Sequence, residues 1–197
     1  MEKVFYICSY GGCGSTMLTN ALKKYGKVKH IHSRKPPDDL EYIGNDNGGD
    51  CYSEWFNGIK IPLDEINNYY VIYIYKMPIK AIISRFQNPT HLEHIQVDKT
   101  IKLNDVINKS EDLYGINEFY NNYTQSNKNR NYKIYSVKYE QLFDKQDELS
   151  KLLGIGPLNL VKKETTRQID NKIIIQLYKI YKDLINKMKM NKFIIIN

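Results

Sequence analysis

Nearly continuous runs of apolar and β-branched residues occur at three places in the chain. Buried strands are predicted there, at residues 3–9, 69–76 and 132–137, and a further short strand is predicted at residues 27–32. Such runs are typical of strands that are covered on both faces, as in a parallel sheet. We therefore expect a sheet whose strands lie in the interior of the protein.

Between and after these runs, apolar residues recur at the spacing of an α-helix. The predicted helices cover residues 17–25, 79–86, 102–126, 139–153 and 171–189, the third of them broken. Strands that alternate with helices predict an α/β fold, namely a doubly wound domain with a central parallel sheet and right-handed crossovers. The length of 197 residues suits a single domain over residues 1–197.

Residues 33–58 lack a clear period and are predicted to form an irregular excursion from the sheet. The excursion contains four large rings, those of Tyr42, Tyr52, Trp55 and Phe56. These rings either line an acceptor pocket beside the site or are buried beneath the loop as part of the core. The pattern alone supports both interpretations.

The chain carries an excess of positive charge. Lys and Arg number 29 against 22 Asp and Glu, which gives a formal net charge of +7. This excess favours anionic partners such as nucleotides or sulfated groups, whereas dispersed basic residues without an aromatic and basic motif disfavour nucleic acid. The N-terminal apolar run is too short for a membrane span, and the 3 cysteines form no disulfide or zinc pattern. We expect a cytoplasmic protein without a membrane partner.

A glycine-rich loop follows the first predicted strand and leads into the first helix. Its residues are Gly11, Gly12, Cys13, Gly14, Ser15 and Thr16. Glycines allow close backbone approach, and amides at the start of a helix can bind a phosphate or sulfate group. The alternative interpretation is a tight turn without a ligand.

The same segment differs from the loop of Mg²⁺-dependent nucleotide hydrolases. A Walker A loop would place lysine before its final Ser or Thr, and here Ser15 stands at that position. The later strands end in Lys76 and Lys138, where such enzymes commonly place an aspartate. The sequence therefore predicts a cationic site that uses no metal.

Three segments together resemble the sulfotransferases that use 3′-phosphoadenosine 5′-phosphosulfate (PAPS). The loop at 11–16 is similar to the Pro-Lys/Arg-Ser-Gly-Thr-Thr loop that holds the 5′-phosphosulfate in that family. Lys76, with Pro78 and Ser84, is similar to its Arg-x-Pro-x-x-x-x-x-Ser signature for the 3′-phosphate, and residues 137–142 are similar to its Arg-Tyr-Glu-Asp-Leu segment. The resemblance implies a P-loop-like protein that transfers a sulfuryl group from PAPS to a hydroxyl or amine of a small molecule, carbohydrate or peptide.

This chain departs from the family where the loop should carry a basic residue that stabilises the leaving group, because Gly12 stands there. The candidate replacements are Lys60, Lys35, Arg34 and His30. For the catalytic base, the resemblance points to Lys60, and residue chemistry points to His32 at the end of the second strand. We expect only one of His30 and His32 to face the site.

Two other functions fit parts of the same pattern. A P-loop nucleotide kinase or hydrolase shares the loop, but it should require Mg²⁺ and prefer ATP. A nucleotide-binding protein without catalytic activity would account for Gly12 and for the basic composition.

Overall fold

A six-stranded sheet occupies the centre of the described structure. The computed structural model describes residues 2–43, 51–52, 55, 58–86, 89–162 and 169–197. The strands are β1 Val4–Cys8, β2 Lys27–Ile31, β3 Cys51–Tyr52, β4 Tyr69–Tyr75, β5 Ile134–Lys138 and β6 Ile194–Ile196. Their order is β3-β2-β1-β4-β5-β6, and every pairing is parallel except the antiparallel pairing of β5 with β6.

Helices cover both faces of this sheet. They are α1 Ser15–Leu22, α2 Pro78–Phe86, α3 Leu103–Lys109, α4 Ile116–Thr124, α5 Tyr139–Leu142, α6 Gln146–Leu152 and α7 Asn171–Met190. Along β1, Tyr6 and Cys8 pack with α2, α4 and α7, whereas Phe5 and Ile7 pack with α1 and α6. This arrangement confirms the predicted α/β class with a mostly parallel sheet between helices. Across the described residues, no helix has the length and apolar character needed to cross a membrane.

All four predicted strands are present, with ends that agree within 2 residues. The sequence did not predict the two short edge strands, β3 and β6. The predicted broken helix at 102–126 consists of α3 and α4, and α4 begins after Gly115, whose φ of +62° is left-handed. The segment predicted as one helix at 139–153 is divided into α5 and α6.

The order in which strands are added to the sheet switches sides between β1 and β4, which are neighbouring parallel strands. After β1 the chain builds β2 and β3 on one side, and then it returns to place β4 and β5 on the other side. Cys8 pairs with Tyr73, so β1 and β4 run side by side towards the same edge. In open α/β sheets, ligands bind beyond the carboxyl ends of two such strands. The glycine-rich loop and the turn after β4 both begin there.

The described parts of the irregular excursion pack against the sheet. Trp55 is buried, lies edge-on to Tyr6 with ring centroids 5.5 Å apart, and donates from Nε1 to the Tyr123 hydroxyl at 3.3 Å. This ring therefore belongs to the core. The side chain of Tyr52 and the whole of Phe56 lie outside the described residues.

Candidate functional site

The glycine-rich loop joins β1 to α1 in a left-handed backbone conformation. Gly11, Gly12 and Gly14 have φ angles of +100°, +65° and +82°. Gly14 is the N-cap of α1, and no side chain caps this end of the helix. The first amide of the helix to reach back is that of Leu18, which donates to the Gly14 carbonyl at 3.2 Å. The three amides before it point out of the helix end, where an anion binds favourably.

The neighbouring protein atoms are enough to explain why the loop needs glycine at these positions. A Cβ at Gly11 would overlap the Arg85 guanidinium, and one at Gly12 would lie 2.7 Å from the Cβ of Ser84. A Cβ at Gly14 would lie 2.6 Å from Cε2 of Tyr139. The loop is thus enclosed on one side by α2 and on the other by the first residue of α5.

The two hydroxyl residues of the loop have different surroundings. The Ser15 side chain is buried and accepts a hydrogen bond from the Ser9 hydroxyl at 2.9 Å. Thr16 is exposed in the first turn of α1. The Thr16 hydroxyl is therefore accessible from solvent, whereas Ser15 ties the loop to the end of β1.

The three segments of the sulfotransferase resemblance contact one another. Ser84 lies against Gly12, and Tyr139 lies against Gly14. Lys76 is half-buried, with Nζ 4.4 Å from the centroid of the Tyr139 ring. The backbone amide of Met77 donates to Oε1 of Glu140 at 2.9 Å. The structure thus brings Ser84 against the loop and Lys76 against Tyr139, which itself packs on the loop.

Cys13 is the buried member of the loop. Its Sγ donates to the Gly11 carbonyl at 3.1 Å. Burial raises the pKa of this thiol to about 12, and the nearby positive charges of Lys76 and Arg85 offset only part of that rise. Cys13 is therefore a protonated thiol at neutral pH, and its bond to Gly11 helps to hold the turn. Since only the thiolate is a strong nucleophile, a role for Cys13 as a nucleophile is disfavoured.

His32 is buried directly behind the loop. Its Nδ1 lies 2.6 Å from the Ser9 carbonyl, which can only accept, so the ring carries its proton on Nδ1. Burial, followed by the charge of Arg85, holds the pKa of His32 well below its ordinary value. The ring is consequently neutral, and Nε2 is its one nitrogen with a lone pair for a proton.

His30 packs beside His32 instead of turning away from it. The two ring centroids are 4.5 Å apart, so the expectation that only one would face this region was wrong. Residues two apart on a strand share one face, which explains the arrangement. Burial, with the charge of Arg85, lowers the pKa of His30 to about 4, so His30 brings no positive charge at neutral pH.

Of the three other predicted cationic replacements for the missing loop residue, Arg34 and Lys60 are engaged elsewhere, and Lys35 is exposed. Arg34 donates to Glu118 at 3.0 Å and to the Ile95 carbonyl at 2.9 Å. Lys60 is exposed, and its Nζ lies 2.5 Å from Oδ2 of Asp39. Within the described structure, the contacts of Lys60 are on the excursion and not on the loop. The Asp39 carboxylate raises the pKa of Lys60, which opposes a role as a base.

We expect Lys60→Ala to leave nucleotide binding and any transfer rate within about 2-fold of the parent, because exposed ion pairs contribute little. Calorimetric titration with 3′-phosphoadenosine 5′-phosphate and a transfer assay would measure both. A loss of transfer in a folded Lys60→Ala protein would restore Lys60 as the catalytic base.

Sequence reasoning missed Arg85, which is 3% exposed on α2. Its Nε donates to the Tyr10 carbonyl at 2.8 Å, and its Nη2 donates to the same oxygen. Its Nη2 also lies 3.5 Å from Nδ1 of His32. A signal was present in the sequence, because Ala81, Ile82 and Arg85 follow helical spacing and place a charge on the buried stripe of α2.

Comparisons of this chain with models of known protein families, with curated proteins and with solved structures found no match. In the described ranges, no group of three His, Cys, Asp or Glu side chains is placed to hold a metal ion. Support for a function therefore comes from the residues of the chain itself.

Proposed function

We propose that the protein is a sulfotransferase that binds PAPS at the glycine-rich loop and transfers its sulfuryl group to a hydroxyl or amine. One observation carries the proposal. The three segments that resemble the family, which lie far apart in the sequence, meet at the carboxyl ends of β1, β4 and β5. In a doubly wound sheet, this is the edge where nucleotides bind.

The residues at this edge suit a nucleotide with two separate anionic groups. The open amides of α1 and the exposed hydroxyl of Thr16 would hold the 5′-phosphosulfate. Lys76 and Ser84 would hold the 3′-phosphate, with the ammonium of Lys76 as a point charge in place of the arginine fork. When bound, PAPS supplies an activated sulfuryl group and leaves as 3′-phosphoadenosine 5′-phosphate.

The acceptor proton needs a base with a free lone pair. Among the predicted candidates, His32 fits this need better than Lys60, because neutral His32 has a lone pair on Nε2 while Lys60 is a paired ammonium. The lowered pKa keeps this lone pair unprotonated at neutral pH, but it also makes His32 a weaker base than an ordinary imidazole, since general bases act most efficiently when their pKa lies near the operating pH.

A nucleotide-binding protein without catalysis is the second candidate. The observation in its favour is that Gly12 cannot carry the family's basic side chain, because a Cβ there would meet Ser84 at 2.7 Å and the φ is +65°. The two candidates differ in one assay, the transfer of label from PAPS to a panel of phenol, carbohydrate and tyrosyl-peptide acceptors. Transfer supports the sulfotransferase, and binding without transfer across the panel supports the second candidate.

Lys76→Ala is expected to weaken 3′-phosphoadenosine 5′-phosphate far more than AMP, because only the former has a 3′-phosphate. A charge-assisted contact of this kind is worth about 1–3 kcal/mol, which is roughly 5- to 150-fold in affinity. Calorimetric titrations with the two nucleotides would measure the difference.

Lys80→Ala is the matched control, because this exposed lysine lies four residues further along the chain, in the first turn of α2. It should change the two affinities little. Equal losses for both nucleotides in Lys76→Ala would contradict the assignment of Lys76. Preference for ATP, and a need for Mg²⁺, would instead favour a kinase or hydrolase.

A further inference from the structure

A buried positive charge lies directly behind the glycine-rich loop. Arg85 is 3% exposed, and its guanidinium holds the Tyr10 carbonyl with two N–H groups. The same guanidinium fills the space where a side chain at Gly11 would begin. The loop is therefore built around Arg85, since glycine at position 11 is what allows the charge to come so close.

The field of this charge reaches groups behind the loop and within it. After burial, the charge of Arg85 is the next cause that lowers the pKa values of His30 and His32 on β2 and beyond. It also opposes the rise in the pKa of Cys13 within the loop. All of these effects have the sign that favours negative charge at the end of β1.

The front of the loop has no room for a cationic side chain. Gly12 is exposed, yet a Cβ there would lie 2.7 Å from the Cβ of Ser84 and 3.2 Å from the Ala81 carbonyl. A basic residue at this position would have to displace α2. Any charge that complements an anion on the loop must come from another element.

We propose that Arg85 is the fixed counter-charge for the anion held by the loop, and that it acts from behind in place of the basic residue that Gly12 replaces. The ligand group is a phosphate or sulfate, and its identity as part of PAPS rests on the proposed function. A charge in a low-dielectric interior acts on an anion more strongly than a solvated one at the same distance. Binding an anion would not require a further loss of side-chain entropy from Arg85, because its bonds to the Tyr10 carbonyl already order it.

Arg85 has two properties that substitutions can separate, namely its positive charge and the pair of hydrogen bonds that its guanidinium fork donates to the Tyr10 carbonyl. Arg85→Lys keeps the charge and loses the fork, whereas Arg85→Met removes both. Arg34→Met is the matched control. The Arg34 guanidinium also packs on a left-handed glycine, with its Nη1 2.6 Å from the Cβ position of Gly115, and it also donates to a backbone carbonyl.

The test is calorimetric titration with pyrophosphate and with 3′-phosphoadenosine 5′-phosphate. We expect Arg85→Met to weaken both by about 10-fold or more, and Arg85→Lys to remain within about 3-fold of the parent. The loss in Arg85→Met should persist at about 0.5 M NaCl, because salt screens buried charges poorly, whereas the loss in Lys76→Ala should shrink. Arg34→Met should lower the unfolding temperature without changing either affinity.

Unchanged affinities in a folded Arg85→Met protein would overturn the inference and leave the proposed function intact. If Arg85→Met does not fold, Arg85→Lys decides, and a loss of 10-fold or more would show that the fork, not the charge, matters. A parent that binds pyrophosphate but not the nucleotide would remove the proposed function and keep the inference. A parent that binds neither anion would overturn both.

Discussion

Replacing Gly14 by valine is expected to abolish nucleotide binding and to destabilise the protein. Gly14 has a φ of +82°, and a Cβ would lie 2.6 Å from Cε2 of Tyr139. A β-branched residue in a left-handed conformation costs about 1–3 kcal/mol by strain alone. The collision with Tyr139 adds to that cost and moves the first turn of α1, where the anion would bind.

Gly58→Val is the control that separates strain from collision. Gly58 also has a left-handed φ, of +71°, but a Cβ there would meet nothing within 4 Å. It should lose stability and keep nucleotide affinity. Thermal unfolding and calorimetric titration of both variants would measure the two effects. A folded Gly14→Val protein that binds the nucleotide like the parent would show that the loop is a tight turn without a ligand.

The collision itself has a second signature. In a Gly14→Ala, Tyr139→Ala double variant, the added methyl group meets no ring. We therefore expect the double variant to be less destabilised than the sum of the two single variants. Additive losses would mean that the loop avoids Tyr139 by moving as a whole.

Acidification is expected to remove a large share of the stability between pH 6.5 and pH 4. The pKa of His30 falls from 6.5 in the unfolded chain to about 4 in the folded protein, because the ring is buried beside Arg85. The unfolded state therefore binds more protons in this range, and the free energy of unfolding falls as the pH falls. The shift of His30 alone corresponds to about 3 kcal/mol, and His32 acts in the same direction.

Denaturant unfolding of the parent and of His30→Gln at several pH values would measure this effect. Carboxylates also titrate in the lower part of the range, so the difference between the two proteins isolates the contribution of His30. His94→Gln is the control, because His94 affects the pKa of His30 less than burial and Arg85 do. Identical pH profiles for the parent and His30→Gln would contradict the inferred burial of a neutral His30.

Local sequence patterns predicted the four inner strands of the sheet but not the two strands at its edges. Strands β1, β4 and β5 are buried along most of their length, and each leaves a mostly apolar run that the sequence shows directly. Strand β2 is equally buried, although its residues include two lysines and a histidine. Strand β6 has 3 residues, and β3 has 2. A run that short forms a strand only because a neighbouring strand supplies partners, and that neighbour is not visible in the local pattern.

The candidate site was predictable where it depends on strand ends and not where it depends on packing. The loop at 11–16, Lys76 and Tyr139 follow buried strands, so parallel pairing brings them to one edge. Arg85 reaches the loop from the last turn of α2, and its place follows from how that helix packs. Lys60 was predicted to lie near the site because it comes shortly before β4, but its side chain pairs with Asp39 instead. Distance along the chain does not fix the direction of a side chain within an irregular segment.

The parts of this site come from distant points in the chain. Arg85 reaches Tyr10 across 75 residues, and Met77 reaches Glu140 across 63. Such non-local contacts form slowly, because the entropy of closing the loops is lost before the contacts compensate for it. An intermediate in which β4 or β5 has not yet joined β1 lacks a complete site. Bound nucleotide should therefore slow unfolding and leave the rate of folding nearly unchanged.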